Sequence, residues 1–120
     1  MGTHFNIESQ LLIQNICNEF KNHPVYQDYE INTYVYDLRS GSVMMDVEKN
    51  GVIKHKYLFM PNDLGDIINI AIYQNSIDHE YQSIKSSGLC FGLPVKEVTI
   101  DNGGMTRFID VYIDDYSHLL

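Results

Sequence analysis

The sequence predicts an α+β fold: a largely antiparallel sheet of about five strands with two or three helices packed on one face. Three observations carry that expectation. Apolar residues recur at helical spacing near the N-terminus and again in mid-chain. Other stretches, rich in β-branched residues and tyrosine, alternate with a period of two. Asn50-Gly51 and Asn102-Gly103-Gly104 punctuate pairs of such stretches as hairpin turns. A length of 120 residues suits one domain spanning 1–120, and no repeat, low-complexity tract or linker divides it.

The first helix is expected over Ile7–Asn22. Asn6 can cap it, Leu12, Ile13, Ile16, Cys17 and Phe20 line one face, and Pro24 lies just past its end. Strands follow at residues 30–38, 43–48 and 52–60, the first two joined through Arg39-Ser40-Gly41-Ser42. The second and third meet at Asn50-Gly51, because both central residues of a tight hairpin turn need positive φ. A second helix is expected over residues 63–76, where Leu64, Ile67, Ile68, Ala71 and Ile72 form an amphipathic stripe and Asp63 and Asp66 suit the positive end of the dipole. Residues 78–87 fit a short helix ended by Ser87-Gly88, and residues 95–101 and 106–114 form a last hairpin.

Sixteen Asp and Glu against eight Lys and Arg give a formal charge of −8, which a small domain does not need in order to fold. Surplus like charge repels itself in the compact state but steers oppositely charged partners. It also disfavours nucleic acid, whose affinity comes from Lys and Arg at phosphates; Lys54, His55 and Lys56 form the only local basic group. No apolar stretch approaches the roughly 20 residues that span a bilayer, and anionic headgroups would repel the chain. The first six residues do not read as a signal peptide, so a cytoplasmic protein is expected. Cys17 and Cys90, without a CxxC pair, read as buried free thiols in a reducing compartment, with a Cys17–Cys90 bridge as the alternative.

Alternation along the last hairpin separates two kinds of face. Val98, Ile100, Ile109, Val111 and Ile113 form an aliphatic side that belongs in the core. The other side carries Glu97, Thr99 and Asp101 beside Phe108, Asp110, Tyr112 and Asp114, and Asp115 with Tyr116 extends the acidic run. A merely solvated face does not need Phe and Tyr among its carboxylates. Aromatic rings supply contact area, and carboxylates supply attraction for Arg and Lys. The alternative is that Phe108 and Tyr112 pack beneath another element and the acids are plainly solvated. Asp28, Tyr29, Glu30, Tyr34, Tyr36 and Asp37 form a second such group, with Tyr34 and Tyr36 on one face of their strand and Asp37 on the other.

Catalytic chemistry finds little support. No dinucleotide-binding, Walker A or nucleophile-elbow motif occurs, and Gly103-Gly104 reads as a turn. Cys90, in Gly88-Leu89-Cys90-Phe91-Gly92, lacks an evident histidine to activate it. Neither Asp78-His79-Glu80 nor Asp114-Asp115-Tyr116-Ser117-His118 has metal-site spacing, and His4 and His23 read as surface residues. No cofactor or metal is expected.

In size, charge balance and the face of Glu97, Asp101, Phe108, Asp110, Tyr112 and Asp114, the chain resembles the small acidic immunity proteins that neutralise secreted bacterial toxins, including those of contact-dependent growth inhibition systems. The resemblance covers the general character of the whole chain and involves no diagnostic motif. It implies a non-enzymatic inhibitor of a basic partner, a cognate nuclease toxin domain whose active site it blocks. Phe108 and Tyr112 would anchor that interface, and Asp101, Asp110 and Asp114 would pair with cations of the toxin's substrate groove. The competing readings are a small-molecule-binding or regulatory domain, with a pocket between the second helix and the sheet near Cys90, Phe91 and Met60, an enzyme using Cys90, or a structural subunit of a larger assembly.

Overall fold

The computed structural model describes residues 4–104 and 106–116. Helix α1 spans Ile7–Asn22, and Asn6 caps it by accepting a 2.9 Å hydrogen bond from the Ser9 amide. A 3-10 turn at Pro24–Tyr26 then leads into β1 (Glu30–Asp37), β2 (Ser42–Lys49) and β3 (Val52–Pro61). The β2–β3 turn has Asn50 at φ 55° and Gly51 at φ 78°, the two positive values that the dipeptide promises. Next come β4 (Ile67–Gln74), α2 (Ile77–Ser87), β5 (Leu89–Cys90), β6 (Leu93–Asp101) and β7 (Phe108–Ile113). The fold is α+β, with both helices on one side of a curled sheet ordered β1-β2-β3-β4-β7-β6-β5, every adjacent pair antiparallel.

Seven strands stand where about five are expected, and the main correction is β4. The apolar stripe assigned to a helix over residues 63–76 belongs to a strand. Gly65 breaks the helical register at φ 84°, and a β-branched run from Ile67 to Ile72 follows it. As the central strand, β4 is buried on both sides: Ile70 and Ile72 face the helices, while Asn69 and Ala71 are buried on the other side. Leu64 and Ile68, two of the five stripe residues, are exposed. The chain then crosses through α2 and β5, pairs β6 with β7, and returns β7 to the side of β4. The last strand is shorter than expected, beginning only at Phe108, and at the end of β6 Asp101 Oδ1 accepts from the Gly103 amide at 2.8 Å.

The core lies between sheet and helices. Ile13, Ile16 and Cys17 of α1 and Ile77 and Ile84 of α2 pack with Met45, Val47, Phe59, Ile70, Ile72, Ile109 and Val111. Tyr116 closes one end: its buried hydroxyl accepts from the Ile67 amide at 2.6 Å and bonds to Ser9 Oγ at 2.9 Å. Nearby, Asn6 donates from its amide to the Gly65 carbonyl and from Nδ2 to Asp66 Oδ1. Added at Gly65, a Cβ would lie 2.6 Å from the Asn6 nitrogen, so close approach as well as φ reserves that position for glycine. Both cysteines are free and buried. Among the described residues, no helix is long and apolar enough to cross a membrane.

Candidate functional site

With both helices on one side, the opposite face of the sheet is left open by the described residues, and the strand registers place its side chains in rows. One row runs Asn32, Asp46, Lys56 and Tyr73 across β1 to β4 and continues through Phe108 to Asp101. The next runs Tyr34, Met44, Leu58, Ala71, Asp110 and Thr99 across all six long strands. A third contains Met60, Asn69, Tyr112 and Glu97. Tyr34, from the second acidic–aromatic group, therefore shares one surface with the last hairpin, whereas Tyr29 of that group packs against Tyr26. The shared surface follows from a strand order that sequence alone does not supply.

Five of the expected contact residues come together here: Glu97, Asp101, Phe108, Asp110 and Tyr112. Phe108 is half-buried and lies 5.0 Å, ring to ring, from Tyr73, while Tyr112 is exposed. Neither ring is tucked beneath a helix. The Tyr112 hydroxyl is pushed above its ordinary value first by the Asp110 charge and a hydrogen bond to Asp110, then by burial, Glu97 and Asp101. Those three carboxylates thus converge on one ring. Asp110 is also held in place, since its Oδ1 accepts from Asn69 Nδ2 at 2.6 Å.

Asp114 and Asp115 are placed elsewhere. They follow the end of β7 and line a separate cleft of about 400 Å3 with Leu64, Asp66, Ile68 and Tyr116. The acidic surplus is not gathered on the open face either. Glu8 and Glu19 lie on α1, Asp78 and Glu80 on α2, and Asp63 and Asp66 in the loop before β4. Lys54, Lys56 and Arg107 line a small cleft at one margin of the open face, together with Tyr73. The face is therefore acidic around Tyr112 and carries cations at one border.

Sequence reasoning missed Asp46, Tyr73 and the floor of the site. Asp46 is only 7% exposed, yet its Oδ1 has no hydrogen-bond partner, and no ion pair joins it to Lys56, its neighbour in register. The Tyr34 phenol is raised by burial and then by its hydrogen bond to Asp46. Met44 and Ala71 are buried beside it on a face that no helix covers, so their larger neighbours, drawn together by the curl, shield them. Tyr73 was hidden by the misread helix; its phenol is raised by burial, then Tyr36, Asp110 and Asp101. The alternation of Met44, Asp46 and Glu48 opposite Val43, Met45 and Val47 was the available signal for Asp46.

The alternative sites fare differently. The pocket expected between a helix at residues 63–76 and the sheet is not built that way, although Phe91 does line a cavity on the covered side with Glu80 of α2. The expected helix is β4, and Met60 lies on the open face, opposite the core that holds Cys90. Burial, reinforced by Glu80, pushes the Cys90 thiol up to about 12, the reverse of what a nucleophile needs. Asp78 is engaged by Arg107 at 3.3 Å, and Ser117 and His118 lie outside the described residues. No protein-family model, curated protein or solved structure matches the chain, and the functional reading rests on its side chains.

Proposed function

We propose that this chain is a non-enzymatic binding protein whose open sheet face docks a basic protein, and that the partner is a nuclease toxin domain it holds inactive. The observation that carries the reading is the cluster of Tyr73, Phe108 and Tyr112 with Glu97, Asp101 and Asp110 on a face that no helix covers. Aromatic rings are favoured anchors at interfaces because they bury much area at little conformational cost. Around them the carboxylates offer a cationic groove what its phosphate substrate offers, acceptor oxygens and negative charge. Steering by the net charge of −8 raises the association rate with a basic partner by roughly 10 to 10³-fold.

Asp46 supports the same reading. A carboxylate oxygen buried without a donor is costly in the free protein, and it would gain a cationic partner if docking moved the side chains that cover it.

The test is co-expression with a cognate toxin domain, scored by host survival and by binding to the purified domain. The double variant Asp101→Lys, Asp110→Lys should keep its circular dichroism spectrum, associate more slowly and lose protection. Full protection by that variant would remove the open face from the interface.

A further inference from the structure

On the covered side of the sheet, away from the docking face, four aromatic rings from four different elements wall a cavity of about 260 Å3. Phe20 comes from α1, Tyr26 from the 3-10 turn, Tyr57 from β3 and Phe91 from the β5–β6 turn. Phe20 lies 5.0 Å from Tyr26, 5.6 Å from Tyr57 and 6.2 Å from Phe91, and Tyr57 lies 5.2 Å from Phe91. Only Tyr57 is fully buried; the other three rings are half-buried at the mouth.

The remaining walls are negative. Glu80 from α2 and Glu19 from α1 line the cavity, and no Lys or Arg does. His23 Nδ1 accepts from the Val25 amide at 3.1 Å, and Gln74 completes the lining. The Glu80 charge raises the Tyr57 hydroxyl and the Cys90 thiol next after burial, and the Tyr26 hydroxyl after burial and Tyr29.

Phe91 supplies an independent sign of a ligand. It sits at φ 51°, a left-handed value that a bulky side chain rarely adopts, with Gly92 following at φ 79°. The same two-residue turn is built from Asn-Gly at Asn50-Gly51, where no cavity has to be lined. Strain of this kind gathers at ligand clamps. Here its result is a ring placed against Tyr57 and Phe20.

We infer that this aromatic cavity binds a small quaternary ammonium ligand of the choline class. Aromatic rings and carboxylates both favour a cation, and a weakly hydrated one leaves water most readily for a site half of whose lining residues are phenylalanine or tyrosine. The volume falls just below the roughly 300–1,000 Å3 of drug-sized sites, which suits a single trimethylammonium head.

Choline titrated into the protein should shift the ring resonances of Phe20, Tyr26, Tyr57 and Phe91 saturably in NMR spectra. The neutral isostere with carbon in place of nitrogen should bind about tenfold more weakly. Phe91→Asn keeps a residue suited to the turn, so the fold is retained while choline affinity falls about tenfold; Glu80→Gln, on the helix, should weaken it roughly threefold. Vesicles of phosphatidylcholine form a second arm: sedimentation with them assigns the ammonium to a lipid headgroup, and binding of free choline alone assigns it to a soluble ligand. Absence of saturable shifts in both arms, equal affinity for the neutral isostere, or undiminished binding by folded Phe91→Asn would each overturn the inference.

Discussion

Strand β7 shows the molecule's two sides at once. Toward the helices, Ile109 and Val111 are wholly buried among Met45, Phe59, Ile70 and Ile72, and Ile113 is nearly so. On the opposite side of the same strand, Phe108, Asp110 and Tyr112 meet no helix and stay partly or fully exposed. Among the described residues, each side also holds a buried side-chain atom without a partner: His55 Nδ1 on the covered side and Asp46 Oδ1 on the open one. A core closes over its apolar groups on folding. A face that keeps Tyr112 exposed beside three carboxylates is the one the proposed docking would close.

The largest test of that difference is a pair of truncations on β7. Ile109→Ala should cost about 2–5 kcal/mol in urea unfolding, through lost burial and a cavity. Tyr112→Ala, three residues on and 41% exposed, should change stability by no more than about 0.5 kcal/mol and act on partner binding instead. Comparable losses from both would make the open face structural and end its candidacy as an interface.

Asp46 gives the next largest effect, with the opposite sign. Replacing it by leucine, beside Met44 and Leu58, removes a buried oxygen that has no donor, and should stabilise the free protein by about 1–3 kcal/mol. On the proposed reading, such a group is kept for binding at the expense of stability. If thermal denaturation shows Asp46→Leu to be destabilised, the carboxylate is holding the sheet together and Tyr34 is its structural partner.

Much of this molecule can be read from its residues, for reasons that differ by element. Asn6, Pro24 and the stripe from Leu12 to Phe20 define α1 because capping and helical spacing are local. Asn50-Gly51 marks its turn for the same reason. The run from Ile67 to Ile72 misleads because a strand buried on both faces has no alternation to show, and its isoleucines happen also to fall at helical spacing. For the candidate site, alternation along β7 separates Phe108, Asp110 and Tyr112 from the core. Joining them to Tyr34, Asp46 and Tyr73 requires the strand order, which depends on long-range pairing. Phe91-Gly92 carries no recognisable turn signature, since its conformation is imposed on a residue that disfavours it.

The two tight turns can be exchanged to measure that imposition. Asn50 is exposed and lines none of the cavities described above. Asn50→Phe therefore forces a bulky residue to φ 55° with no compensating contact, and should cost on the order of 1–2 kcal/mol. A loss near zero would mean that this backbone tolerates phenylalanine freely. The conformation of Phe91 would then say nothing about a ligand.

The smallest effect lies at His55, beneath the covered face. Its ring neighbours Tyr26 and Tyr57, and burial lowers its pKa from the usual 6.5, against the opposing pull of Gln74 and Glu80. A histidine that is harder to protonate when folded leaves the unfolded chain holding more protons, so stability rises with pH across the interval between the folded and unfolded values. Its contribution is complete above about pH 6.5 and is lost as the pH falls below that. The stability gap between the wild type and His55→Gln should therefore narrow or reverse on going from about pH 7 to about pH 5. Parallel curves would show that His55 titrates alike in both states, and that its unpartnered nitrogen reaches water in solution. The covered side would then lack its counterpart to Asp46, and a buried atom without a partner would mark the open face alone.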